Sequence, residues 1–291
     1  MTDDSLSLPG LAARRTAMRT IRLPRLNGVG RPALAIFLLV FLTLPFLWMV
    51  QLAFRPAADL FTDALLFTPT LEAFASLLQG SFARSFGNSL AVATISTALS
   101  LLIGVPAAYV LARWDFRGRR NLALWILVTR MAPPIAFTIP FYLAYRWLGL
   151  QDTIAGLVII YLTFNLAVVI WLMQTFFATI PVALEEAAWI DGAGIWQAFR
   201  LVVLPLSAPG LTATAVLCFI FSWSDFFYAL ILTRTNATTA PVAIVNFLQY
   251  EGWEWSKIAA GGTLVVLPVI LFAILVRRWL VKGLAAGGVK E

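Results

Sequence analysis

The residues best placed to do chemistry in this chain are few, and they sit in unusual surroundings. Asp225 lies in Phe221-Ser222-Trp223-Ser224-Asp225-Phe226-Phe227-Tyr228, within a long apolar run. Arg130 lies inside another such run. An ionisable group with apolar neighbours on both sides is costly in a hydrocarbon setting and marks a functional position. Asp225 reads as an acceptor for the hydroxyls of a solute, with Trp223 or Tyr228 stacking on a ring of that solute. The plainer reading is a structural hydrogen bond to a partner subunit. Arg130 reads as a contact to solute or gate, or as a donor to nearby helix carbonyls. A third group, Glu185 and Glu186, falls in the segment 178–207, ATIPVALEEAAWIDGAGIWQAFRLVVLPLS.

The chain contains no histidine and a single cysteine, Cys218, in an apolar stretch. The commonest general base and metal ligand is therefore missing, and no internal disulfide can form. No set of nucleophile, base and metal ligands converges at one depth, which argues against a membrane-embedded enzyme. The composition is 61% hydrophobic and 12% charged, against about 25% charged in soluble domains. Lipid is the implied solvent. The net charge of +7 fits Lys and Arg gathered in loops on one side of a membrane, and no basic recognition motif points to nucleic acid.

The elements that must hold these residues are apolar runs of at least ~20 residues, the length that crosses ~30 Å of hydrocarbon. Six are present, about Ala33–Phe54, Asn88–Arg113, Asn121–Tyr145, Thr153–Phe177, Ala208–Thr233 and Ile258–Val281. They divide the chain into a 1–31 arm, a six-helix domain over 32–281 and a 282–291 tail. With both termini cytoplasmic, Arg14, Arg15, Arg19, Arg22, Arg25, Arg31, Arg113, Arg117, Arg119, Arg120, Arg200, Arg277, Arg278, Lys282 and Lys290 lie inside. Only Arg55, Arg84, Arg146, Arg234 and Lys257 lie outside. The asymmetry sets the orientation. At 1.5 Å per residue Arg130 stands ~14 Å and Asp225 ~25 Å from the inner face, a gap that argues against direct pairing. Ser222, Asp225 and Phe226 are spaced three or four apart, which on a continuous helix is one face, so the fifth run is expected to line a pathway.

The inner segment 178–207 reads as two short helices around a turn. Pro181 suits a first helical turn, and Glu185 and Glu186 fall near the positive end of the helix dipole. Ala187 and Ala188 keep the helix slim, Gly192 permits a sharp turn, and Leu204-Pro205 closes the segment. No G-x-x-x-x-G-K-[ST] loop is present, so ATP-driven work would need a partner that carries one.

The order Glu186-Ala187-Ala188, three residues, Gly192, nine residues, then Val202-Val203-Leu204-Pro205 resembles the EAA loop of ABC importer permeases. Gly104-Val105-Pro106-Ala107-Ala108-Tyr109, Leu148-Gly149-Leu150-Gln151-Asp152-Thr153 and the tail Gly283 to Lys290 are similar to the maltose-type branch, and to its second permease subunit. The resemblance covers about residues 33–291. It implies an all-α membrane fold of six transmembrane helices with a cytoplasmic coupling helix, the type I importer fold. It implies that Glu185, Glu186, Ala187, Ala188, Asp191, Gly192, Leu204 and Pro205 couple to an ATP-binding subunit, which itself binds ATP and Mg. It implies that Gly287, Gly288 and Lys290 reach between the two ATPase subunits. The implied partners are a homologous permease, an ATPase dimer and an extracytoplasmic solute-binding protein, and the implied cargo is sugar-like. Glu251 and Glu254, interleaved with Trp253 and Trp255, read as a contact to that binding protein or as an interfacial anchor. The family often carries Asn-Glu where this chain has Ser224-Asp225. A permease for a polyamine or osmolyte, and a self-sufficient secondary transporter, stand as alternatives.

Overall fold

The computed structural model describes residues 30–62, 67–131, 133–249 and 252–288, the last helix as backbone alone beyond Ile274. The chain forms two units, Met1–Leu47 and Trp48–Glu291. In the first, the described residues form most of α1 (Gly30–Ala53), an apolar helix with Pro45 inside it. Its large apolar side chains from Leu34 to Leu47 are exposed, as suits a helix solvated by lipid.

The second unit is built on two long helices, α3 (Ser81–Arg113) and α6 (Ile154–Thr179), which form its most extensive helix pair. A short α2 (Glu72–Gln79) precedes α3. Small residues permit the close approach, as expected between helices in lipid. A Cβ on Gly104 would stand only 2.7 Å from Val169 Cγ1. The third member of this core is α10 (Ala208–Trp223), packed on both. Three buried polar side chains join the three helices: Ser96 donates to Ser222 Oγ at 3.2 Å, and Asn165 Nδ2 donates to the same oxygen at 2.8 Å.

Among the described residues, four helical stretches are long and apolar enough to cross a membrane: Pro32–Ala53, Ser81–Arg113, Ile154–Thr179 and Trp255–Ile274. Two bent pairs bring the number to six. One is α4 (Arg119–Met131) followed by a tight turn at Pro134–Phe137 and α5 (Thr138–Trp147). The other is the helical stretch Ile195–Leu206 joined to α10 at an angle of 76°. The expected third span is thus interrupted, because Pro133 and Pro134 remove backbone donors and clash with the preceding turn. The expected fifth span is also interrupted. Its helix stops at Trp223 and resumes as α11 (Phe227–Leu232).

A short α12 (Ala240–Val245) and a two-residue antiparallel pair follow, β1 (Leu248–Gln249) and β2 (Gly252–Trp253), with Leu248 opposite Trp253. The last helix, α13, runs from Trp255 to Gly288. The 282–291 tail is therefore not a separate segment in its described part, because the backbone of Gly287 and Gly288 continues the helix. Lys290, Glu251 and the arm up to residue 29 lie outside the described residues.

Candidate functional site

The segment 178–207 folds as α7 (Ala183–Ile190), α8 (Ile195–Ala198), a π-helical turn over Phe199–Val203 and α9 (Leu204–Leu206). Pro181 precedes α7 instead of entering its first turn, and its carbonyl accepts from Leu184 N at 3.2 Å. Gly192 has φ +89°, the left-handed region that a Cβ disfavours. Gly192 N donates to Trp189 O at 3.0 Å and Ala193 N to Ala188 O at 2.9 Å. This is the Schellman arrangement that closes a helix on a glycine. Gln197 Oε1 then accepts from Gly194 N at 2.8 Å and starts α8.

The two adjacent glutamates separate completely. Glu186 is exposed with Ala187 and Asp191, while Ala188 is half-buried. Ile190, Trp189, Ile195 and Trp196 add an exposed apolar corner at the α7–α8 turn. A soluble surface rarely leaves such a patch uncovered. Leu204 is half-buried and Pro205 exposed. Glu185 is turned inward and fully buried, so the expectation that it contacts another subunit is corrected. Its Oε1 accepts from Arg113 Nε at 2.6 Å, and Tyr109 donates to its Oε2. Arg113 also donates through Nη2 to Ile180 O at 2.9 Å.

The second site lies where α10 breaks. Asp225 Oδ2 accepts from Tyr161 Oη at 2.8 Å, from Tyr228 N at 3.2 Å and from Ala229 N at 3.3 Å. The carboxylate thus satisfies first-turn donors of α11 that a helix cannot satisfy itself. Around it opens a cavity of about 550 Å³, lined by Arg130, Phe141, Phe164, Phe221, Tyr228 and Asp225 among others. Phe164 and Tyr228 stack with centroids 5.9 Å apart. The Arg130 guanidinium lies 4.6 Å from the Phe221 centroid and 5.8 Å from that of Phe164, a cation–π shelf. Its hydrogen bond among the described residues, Nη1 to Phe164 O, is long at 3.4 Å. Arg130 and Asp225 face one cavity, and among the described residues no ion pair joins them.

Ser222 and Trp223 do not join them. Ser222 is the buried junction of α3, α6 and α10. Trp223 is 1% exposed and donates from Nε1 to Val265 O at 2.9 Å. The expectation that Ser222, Asp225 and Phe226 share a helix face fails because Ser224 ends the helix and Phe226 begins the next. Below the cavity, an apolar pocket of about 280 Å³ shares Arg130 and Phe221 with it, and shares Leu127 and Trp171 with a polar pocket of about 640 Å³ beside Arg119 and Gln174.

At the loop before α6, Asp152 holds the chain after α11. Its carboxylate accepts from the backbone N–H of Arg234, Thr235, Asn236 and Ala237, all at 2.9–3.2 Å. Burial raises the Asp152 carboxyl, but these four N–H groups outweigh it and hold it well below the usual carboxylate range.

Sequence reasoning missed Tyr109, Arg113 and Tyr161 as site residues. Arg113 carries a readable signal, a lone charge closing an apolar run. Tyr109 and Tyr161 carry none, because an aromatic in an apolar stretch does not declare what its hydroxyl meets.

Comparison with known proteins agrees with this geometry. A family described as the inner membrane component of binding-protein-dependent transport systems matches residues 100–286. The chain is 40% identical over 252 residues to the trehalose transport system permease protein SugB of Mycobacterium tuberculosis, covering 85% of this chain and 92% of that one. It is 31% identical over 261 residues to the diacetylchitobiose uptake system permease protein DasC of Streptomyces coelicolor, covering 88% and 95%. A crystal structure of a bacterial ABC transporter involved in the import of the acidic polysaccharide alginate matches with TM-score 0.73 and 26% identity, covering 85% of this chain and 94% of that chain. The chain is a multi-pass membrane protein of the type I importer fold, and it belongs to the family of binding-protein-dependent transport system inner membrane components.

Proposed function

We propose that this chain is the permease subunit of an ATP-driven importer, and that it carries a neutral sugar or sugar-like solute inward across the membrane. The observation that carries the ATP-driven part is the exposed acidic and apolar corner of α7–α8, held in shape by the Gly192 turn. It is a docking surface that no other described residue covers. The partner that fits is a cytoplasmic ATPase dimer that binds ATP and Mg, with the 178–207 segment and both termini on the cytoplasmic side. A homologous permease completes the pathway, and a binding protein delivers solute from outside.

Two lines support the cargo. Two of the similar proteins named above are permease proteins for trehalose and diacetylchitobiose, and the third is involved in the import of the acidic polysaccharide alginate, all of them carbohydrates. The cavity at Asp225 sets one acceptor and one cationic donor among stacked aromatic rings. Hydroxyls both donate and accept, and a sugar ring offers an apolar face, so an uncharged polyhydroxylated ring satisfies both signs at once.

The test is to express the chain with its neighbouring genes and purify it by a tag on this subunit. An ATPase should co-purify, and vesicles holding the complex should take up a sugar from a panel headed by trehalose only with ATP inside and binding protein outside. Uptake by this chain alone, driven by an ion gradient, would overturn the reading in favour of a secondary transporter.

A further inference from the structure

Three ion pairs are present among the described residues. Arg119–Asp115 and Lys257–Glu254 are open to the surroundings, but the side chains of Arg113 and Glu185 are 8% and 1% exposed. Burying two charges costs more than their attraction returns unless every lone pair and proton finds a partner. Here both Glu185 oxygens accept, from Arg113 Nε and Tyr109, and Arg113 also donates to Ile180 O; among the described residues neither side chain has a buried polar atom without a partner. An apolar contact of the same size would hold α7 in place as well or better, so the cluster needs a reason beyond stability.

Its position supplies one. Helical hydrogen bonding ends at Thr179 and resumes in α7, leaving Ile180-Pro181-Val182 as a link. Ile180 is in extended backbone, φ −83° and ψ 123°. Such a link is a natural hinge. Arg113 spans it: Nη2 binds Ile180 O on one side, and Nε binds Glu185 on the other. Tyr109, one turn earlier in α3, holds the second oxygen of Glu185 and is itself wedged between Phe177 at 5.7 Å and Phe199 at 4.6 Å. Charge-assisted hydrogen bonds fix direction as well as distance, which apolar packing does not.

We propose that Arg113, Glu185 and Tyr109 form a positioning clamp that locks the α6–α7 hinge, so that α7 moves as one body with α3 and α6. A push on the exposed face of α7 then reaches the spans instead of being absorbed by the link. This rests on the import reading above. Glu186 and Glu185 divide the work: the first faces the partner, and the second hands the motion inward.

The clamp is tested in the full complex with its ATPase and binding protein. Spin labels at positions 110 and 184, where Val110 and Leu184 are 45% and 44% exposed and lie outside the α7–α8 corner, report the α3–α7 distance. The native Cys218 is buried and stays unlabelled. One narrow distance, the same with and without ATP, is expected in the parent complex. In E185Q it should broaden, and uptake of radiolabelled trehalose per ATP hydrolysed should fall about fivefold or more, with the swap R113E/E185R recovering part of the loss. A parent distance that shifts between nucleotide states overturns the clamp. So does an E185Q complex whose distances and uptake per ATP equal the parent's. If E185Q does not assemble, the parent distances decide together with Y109F, which keeps the ion pair and should lose part of the coupling; unchanged coupling in Y109F counts against the clamp. A parent complex that holds no ATPase defeats the import reading instead, and that is measured first.

Discussion

Asp225 carries a structural burden that any role in binding solute must share. Its Oδ2 is committed to Tyr161 and to the first turn of α11, and none of these bonds uses Oδ1. Replacing it with alanine strands the Tyr161 hydroxyl, which is buried, at a cost of about 1–3 kcal/mol. D225A should therefore lower both the thermal stability of the purified complex and its transport. D225N keeps an oxygen for the same donors, so the complex should assemble while uptake falls, because the amide is a weaker acceptor toward solute hydroxyls. Equal uptake by D225N and the parent would leave Asp225 as a helix cap only. Asp225 and Arg130 were legible in the sequence because a charge in an apolar run is conspicuous. Phe164 and Tyr161 were not, since their type suits a core, a cavity or a lipid face equally. Ser222 was misplaced for a different reason: its assignment assumed that the helix continues past Trp223.

At the scale of elements, the breaks divide into those written locally and those imposed by packing. Pro133-Pro134 and Gly192 announce their turns by backbone chemistry alone. Ser224-Asp225-Phe226 holds neither proline nor glycine, and its break is secured by bonds to other helices, Asp225 to Tyr161 on α6 and Trp223 to Val265 on α13. No single-chain periodicity can report such a break. The Gly192 turn, proposed above to dock the ATPase, follows the first pattern and is testable on that basis. Alanine at position 192 meets no atom within 4 Å, so its penalty comes from the left-handed φ alone, about 1–2 kcal/mol. G192A should leave the membrane core intact and weaken retention of the ATPase on a pull-down from detergent. Retention equal to the parent would show that the turn geometry is not what the partner reads.

For the whole molecule, the lengths of the apolar runs made the membrane fold legible, and the pattern of Arg and Lys gave a direction that the helices by themselves do not. Fifteen basic residues lie on the side assigned to the cytoplasm and five on the other. Orientation and docking then make one joint prediction, because the surface offered to the ATPase must face the compartment that holds ATP. Position 194 is suited to test it. Gly194 is exposed at the α7–α8 turn with φ −73°, and a Cβ there comes no nearer than 3.8 Å to Gln197 Oε1, so G194C is tolerated without strain. The buried Cys218 contributes no background. A membrane-impermeant maleimide should fail to label G194C in intact cells and should label it in inside-out vesicles stripped of the ATPase. Adding the ATPase back should protect the thiol, since the exposed corner of Ile190 and Trp196 would be covered. Labelling from outside intact cells inverts the topology and removes the basis for ATP-driven coupling at this segment. Labelling from inside without protection keeps the topology and moves the docking surface elsewhere on the chain.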